Sequence, residues 1–282
     1  MDQQERTWPL MAFTVLGPAS VGCLLGTLLL RSAESSDRFA LAATTAALMI
    51  GVAGVLLSLA HLNKPLRAYR ALRKFPASPL SREIGAYAIY VLLVFVAWVA
   101  ELFGTAPGWL LGLGVAAGGV AIVASAQVYL LPARPSWRHW STAGAFLGCG
   151  LSLGSSTSLL IAVYTQEGLL QTRAADIVRG LLVAGVVVST ISVWRRVAFL
   201  RAGTADTKAA WHAVNTDYSG LLWTRLIVGL ALPLAATVLS RSADAWFWLA
   251  WLSLLAGELI DRRLFFASVV PLSFRAEITG VH

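Results

Sequence analysis

"HLNKPLRAYRALRKFPASPLSREI", residues 61–84, holds six lysines and arginines, one histidine and one glutamate. About twenty almost wholly apolar residues flank it on each side. A helix rises about 1.5 Å per residue and the hydrocarbon core of a bilayer is about 30 Å thick, so such a run crosses a membrane once. The stretch therefore reads as a charged loop between two membrane helices.

The same reading extends in both directions. Eight apolar runs of spanning length lie at about 10–30, 39–61, 83–104, 108–131, 141–164, 175–195, 219–240 and 245–267. Their length and lack of strict alternation indicate helices, not barrel strands. Of the 282 residues, 57% are hydrophobic and only 13% charged, against about a quarter charged in a soluble domain. The expected fold is all-α and integral to the membrane: eight transmembrane helices in one bundle, a single domain over 1–282, with no soluble domain. The opening MDQQERTWPL lacks a basic n-region, so no cleavable signal peptide is expected.

A net charge of +8 would suggest nucleic acid in a soluble protein. Here the charge sits in loops, which indicates topology and partner docking and no nucleic-acid role. Eight spans place both termini on one side, together with loops 62–82, 132–140 and 196–218. Sixteen Lys and Arg fall on that side, five on the other, and Arg225 lies inside the seventh span. The positive-inside rule then puts the termini and the large basic loop in the cytoplasm, with the chain in a bacterial inner membrane. Tryptophans near span ends, among them Trp8, Trp109, Trp137 and Trp223, read as an interfacial belt.

Cys23 and Cys149 lie in apolar runs and read as small buried side chains. Two thiols do not hold an iron–sulfur cluster, which takes about four ligands; no zinc pattern is present, and no metal site is expected. Of the four histidines only His61 touches a span, while His139, His212 and His282 fall in loops or the tail, so no haem is expected. Charges at the edge of a span are costly and point to function. His61 and Glu83 stand at the two ends of the basic loop. Gln127 and Tyr129 close the fourth span, Arg225 enters the seventh, and Glu258 lies in "GELIDRR" of the eighth. All are expected near the loop side, with Glu258 about one turn from its helix end. Glu258 and Arg262, four residues apart, can pair, and Arg225 can snorkel or pair with a carboxylate. Ser78-Pro79 reads as an N-cap and first helical residue.

A quinone site uses such groups. It needs an apolar slot for ring and tail, hydrogen-bonding groups at the ring oxygens, and a side chain that moves protons; histidine and carboxylate suit the last. Without a haem or cluster on this chain, electrons pass directly between quinone and a cofactor on a partner docked against the basic loop.

These residues resemble a known family, the membrane anchor subunits of dimethyl-sulfoxide-reductase-type molybdenum enzymes. "WPLMAFTVLGP" (8–18), "HLNKPLRAYRALRKFPASPLSREI" (61–84) and "LLAGELIDRRLFF" (254–266) carry the resemblance, with "DYSGLLWTRLIV" (217–228) and "ARPSW" (133–137). It implies a chain without metal cofactors that anchors a four-cluster iron–sulfur subunit, itself joined to a catalytic subunit with molybdopterin guanine dinucleotide. It also implies a menaquinone or ubiquinone site with His61, Arg67 and Glu83 as its quinone-binding and proton-relay residues. Gln127, Tyr129, Arg225 and Glu258 are candidates for a supporting shell, and Lys64, Arg70, Arg73, Lys74 and Arg82 for partner docking. The cytoplasmic bias resembles one branch, the membrane subunit of cytoplasmic sulfite dehydrogenase. The preferred expectation is thus sulfite oxidation with quinone reduction; the alternative is a quinol-oxidising anchor of a dimethyl sulfoxide or related S- or N-oxide reductase. From other classes, a transporter would place charges near the bilayer midplane, and a purely structural anchor would bind no quinone.

Overall fold

Pro79 stands at the first turn of a helix, as its sequence context indicates, with Ser78 in the extended conformation before it. The Ser78 hydroxyl makes no capping hydrogen bond; its carbonyl accepts the first helical bond, from the Arg82 amide at 3.1 Å. The computed structural model describes residues 7–32, 36–60, 78–131, 134–239 and 244–269. His61, Lys64, Arg67, Arg70, Arg73 and Lys74 lie outside the described residues, and every structural statement below concerns the described ones.

The helices are α1 (Trp8–Arg31), α2 (Asp37–Ala60), α3 (Pro79–Leu102), α4 (Gly108–Tyr129), α5 (Ser141–Cys149), α6 (Ser155–Thr165), α7 (Arg173–Ala202), α8 (Ala205–Asp217), α9 (Ser219–Leu226), α10 (Leu232–Leu239) and α11 (Ala245–Ala267). Two π-helical segments, Gly150–Gly154 and Ile227–Ala231, join α5 to α6 and α9 to α10. Each joined pair makes one span, 141–165 and 219–239. Seven helical segments are long and apolar enough to cross a membrane. At the eighth expected position stands the 23-residue α11, which Glu258, Asp261, Arg262 and Arg263 keep outside these seven.

The contacts fix the alternation of the helices. Arg31, ending α1, pairs with Glu101 near the end of α3. Trp248 near the start of α11 donates to the Tyr164 hydroxyl near the end of α6 at 2.8 Å. Glu101 is thus not a surface charge: its carboxylate is buried and tied to Arg31. At the opposite end, Glu83 near the start of α3 meets Ser125 near the end of α4, and Trp137 donates to the Phe265 carbonyl at 2.9 Å. Trp137 therefore departs from the belt expected of it. It stacks on Phe265, with ring centres 5.0 Å apart, whereas Trp8, Trp109 and Trp223 face outward.

Residues 196–218, expected as a loop, are mostly helical. α7 runs on to Ala202, and α8 follows after a short break. The α7 stripe Val178, Leu182, Val186, Ser189, Val193, Arg196, Leu200 is buried, at the spacing of a helix face packed on a core. That spacing carries the helix beyond the apolar run.

α1 is the hub, packed against α2, α4, α6 and the π segment after α5. Small residues allow this. A Cβ on Gly22 would lie 1.7 Å from the Gly150 carbonyl oxygen, and one on Gly154 would lie 2.4 Å from the Gly22 Cα. Close backbone approach through small residues is how helices associate where no hydrophobic driving force acts between them. Gly22→Ala or Gly154→Ala should lower stability by about 1–3 kcal/mol or more through overpacking. Gly119→Ala, where a Cβ meets nothing within 4 Å, should be neutral. Thermal unfolding of the three variants in mild detergent checks the contrast.

Candidate functional site

Glu83 lies four residues into α3 and is almost wholly buried. Ser125 of α4 donates its hydroxyl to the Glu83 carboxylate. A buried carboxylate without a partner is costly, and the serine supplies one across the α3–α4 seam. One turn on, Tyr87 packs edge-on against Phe13, ring centres 5.0 Å apart. Its hydroxyl lies where a Cβ on Gly17 would be, 2.5 Å away. Tyr87 and Tyr129 both stand within electrostatic reach of Glu83 on one side and Arg262 on the other. Tyr129 is also the centre of an aromatic group with Trp137, Phe146, Phe265 and Phe266.

Gln127 does not face Glu83's interior side. It lines a groove of about 660 Å³ on the outer side of the same seam, together with Arg82. The groove floor and walls are otherwise apolar, with Ala86 and Ala124 between the two helices and Ile89 and Val120 at its deeper end. Arg82, grouped in sequence with the docking cations, belongs structurally to this groove.

The second polar centre lies in the bundle interior. Arg225 donates to Glu258 at 3.2 Å, and Ser189 donates to the same oxygen at 3.0 Å. Arg262 approaches the other Glu258 oxygen at 3.9 Å and Asp261 at 3.4 Å. It donates to the Ala145 carbonyl at 3.1 Å. Arg196 pairs with Asp261. Arg225 and Arg262 are among the largest fully buried side chains, so Arg225 pairs and does not snorkel. Gly229 makes room for it: a Cβ there would lie 1.8 Å from an Arg225 terminal nitrogen.

Glu258 is nine residues from the last residue of α11, about 13 Å along a helix. This is deeper than the one turn expected from sequence and near the middle of α11. The depth criterion that disfavours a transporter therefore applies to Glu83 but not to the Arg225–Glu258 pair. Arg225 and Glu258, expected around Glu83, form their own cluster with Arg196, Asp261 and Arg262. Asp261 is legible in the sequence as a charge at the end of the eighth span, but Arg196 is not, because it counts there as a loop charge. The periodicity of the α7 stripe is the signal that places it inside.

The cluster holds three guanidinium groups and two carboxylates, a buried excess of one positive charge. π-faces take part of it: Arg262 lies 4.3 Å from the Phe146 ring centre and Arg196 5.5 Å from that of Phe265.

Beside the cluster, outside the spans, His139 Nδ1 accepts from the Ser141 amide at 3.2 Å and so fixes the start of α5. Burial, then the charges of Arg195 and Arg196, hold the His139 pKa below its usual 6.5.

The family model for the DMSO reductase anchor subunit (DmsC) matches residues 1–267. The anaerobic dimethyl sulfoxide reductase chain YnfH of Escherichia coli K12 is 27% identical over 272 residues, covering 92% of this chain and 93% of its own. The C subunit of anaerobic dimethyl sulfoxide reductase from the same organism is 29% identical over 276 residues, again 92% and 93%. Its counterpart from Haemophilus influenzae is 29% identical over 182 residues, 58% of this chain and 62% of its own.

Glu258→Gln should destabilise the bundle more than Arg225→Met. The first leaves three cations facing one carboxylate; the second leaves two against two. Breaking a buried pair typically costs about 3–5 kcal/mol, and thermal unfolding in detergent gives the order. For His139 the folded-state pKa lies below the unfolded one, so the unfolded chain binds more protons as pH falls past 6.5. Stability should then drop on acidification from that point towards the folded value. Melting wild type and His139→Asn between pH 7.5 and 5.5 should show a smaller acid loss in the variant.

Proposed function

From a chain that belongs to the family of DMSO reductase anchor subunits, we propose a quinone-reactive membrane subunit of a molybdenum oxidoreductase complex. It exchanges electrons between the quinone pool and an iron–sulfur subunit carrying four clusters, which connects to a molybdopterin guanine dinucleotide subunit. The observation that carries this reading is Glu83: a carboxylate buried one turn into α3 and held by Ser125 on the interior side of the α3–α4 seam. A quinone reaction moves protons with its electrons, and a carboxylate at hydrogen-bonding reach of a ring oxygen is suited to take or give them. His61 and Arg67 complete the proposed site, His61 as the second proton-handling group and Arg67 as a cation for negative charge developing on the ring oxygens. Lys64, Arg70, Arg73 and Lys74 form the docking face for the iron–sulfur subunit. Bound quinone supplies the redox chemistry; this chain's residues bind it, exclude water and move protons.

The relatives favour the quinol-oxidising direction, in a dimethyl sulfoxide or related S- or N-oxide reductase. One observation favours the other. The sequence assigns sixteen basic residues to the loop side and five to the other; with Arg196 and Arg262 buried in the bundle, fourteen remain against five, a bias that favours a cytoplasmic docking face and termini, as sulfite oxidation by a cytoplasmic complex requires. The N-terminus of the copurifying molybdenum subunit separates the two: a twin-arginine export signal supports the reductase, and its absence supports sulfite oxidation.

For the site itself, His61→Ala and Glu83→Gln should each abolish quinone-linked turnover. Turnover with an artificial dye, which bypasses this chain, should persist and report an assembled complex. Unchanged quinone turnover in both variants would sink the assignment.

A further inference from the structure

We infer that the groove between α3 and α4 is the slot that admits and holds the quinone, and that Arg82 and Gln127 bind its ring oxygens; this rests on the quinone-reactive function just proposed. The groove has the two ends an amphiphile needs. Among the described residues its polar end is formed by Arg82 and Gln127, and the rest of its lining is apolar. Arg82 can only donate, and the Gln127 amide nitrogen donates too. Arg82 lines the groove with Gln127, and among the described residues its Nε has no hydrogen-bond partner, so this end offers donors to an acceptor. A quinone carbonyl is an acceptor at the end of a flat apolar body.

The antiparallel helices bring the lining together in register. With the register set by the Glu83–Ser125 bond, Arg82 and Gln127 stand at one end of the lining and Ile89 and Val120 at the other. Seven residues separate Arg82 from Ile89, about 10 Å along a helix. The slot is therefore deep enough for a ring and the start of its tail. The small side chains at Ala86 and Ala124 keep it open, and its outer wall, Ile89, Val120 and Val123, is exposed where the bilayer lies. A tail entering from the lipid would meet no polar group before the ring reached Arg82. The volume, about 660 Å³, is within the range of small-molecule sites.

The neighbour of the polar end separates quinone from a phospholipid. Glu83 follows Arg82 in sequence, and Ser125, its partner, follows Ala124 of the groove. The proton-handling carboxylate thus stands behind the groove, on the interior side of the helix turn whose outer side carries Arg82. A phospholipid phosphate uses the arginine but has no use for a protonatable carboxylate behind it. Arg82 is a binding residue in this arrangement, and Gly85 and Val123, on the rim, limit how broad a ring enters.

The test uses the intact complex in native membranes, a photoreactive azidoquinone as probe, and four variants. Gly85→Leu and Val123→Trp fill the slot from its lipid side, Val187→Trp adds the same bulk on the exposed face of α7, and Glu83→Gln reports on the site as a whole. Labelling should fall within 79–90 and 120–130. Both filling variants should lose that labelling, retain less extractable quinone, and raise the KM for quinol tenfold or more, while Val187→Trp does none of these. Labelling elsewhere, with Glu83→Gln still abolishing quinone turnover, would overturn the slot but not the quinone reading. The slot would equally fall if the filling variants displaced a copurifying phospholipid and left quinone retention unchanged. If Glu83→Gln left quinone turnover intact, the quinone reading itself would fall, and the slot with it.

Discussion

Three arginines and two acids stand buried inside a bundle of apolar helices. Each charge brought into such a place costs several kcal/mol unless it is paired and hydrogen-bonded. Arg196 comes from α7, Arg225 from α9, and Glu258, Asp261 and Arg262 from α11, while Ala145 of α5 gives its carbonyl. Neither α7 nor α9 can leave α11 without breaking an ion pair, nor can α5 without breaking a charged hydrogen bond. The glycine contacts around the cluster follow from this. Gly257 meets Gly229 so closely that a Cβ on the former would lie 2.5 Å from the latter's Cα, which brings Arg225 and Glu258 within reach of each other.

The α3–α4 pair is held more lightly. Its interior side carries one carboxylate–hydroxyl bond between Glu83 and Ser125, and its outer side opens to lipid. Between it and the ion cluster stand Tyr87 and Tyr129, each sensing Glu83 and Arg262. The rigid half of the molecule thus backs the half with the groove. Catalytic groups are best held when their own neighbours are locked by packing, and Tyr129, wedged among four aromatic rings, provides such backing for the end of α4.

Much of this is legible in the sequence because the membrane imposes a length rule. Eight runs of about twenty apolar residues forecast the helices, and the scarcity of charge makes Glu83, Arg225 and Glu258 conspicuous. Pairing is harder. Arg225 meets Glu258 across 33 residues and Arg196 meets Asp261 across 65, and no local pattern encodes such partners. Arg196 hides among loop cations because hydropathy, not periodicity, draws the end of the sixth span. α8 escapes for a related reason: with mixed polarity it lacks the apolar run that marks a span. The groove is a property of two helices in register, which neither sequence stretch reveals alone. Arg82 accordingly reads as one cation among several until the seam places it opposite Gln127.

The two π segments bear on how the chain can vary. A π turn behaves as one residue inserted into an α-helix, and one residue is about 100° of helical phase. Everything after Gly154 and after Ala231 is therefore rotated relative to the helix before it. Phe146 lies against the Arg262 guanidinium and Thr157 accepts from Trp251; an unbroken helix would set these positions, eleven residues apart, within about 20° of each other, and the inserted residue shifts the second by about 100°. The fifth and seventh spans are each two helical faces joined at a fixed dihedral offset. Their lengths are quantised: losing a single residue there would leave the span long enough for the bilayer and turn half of it away from its partners.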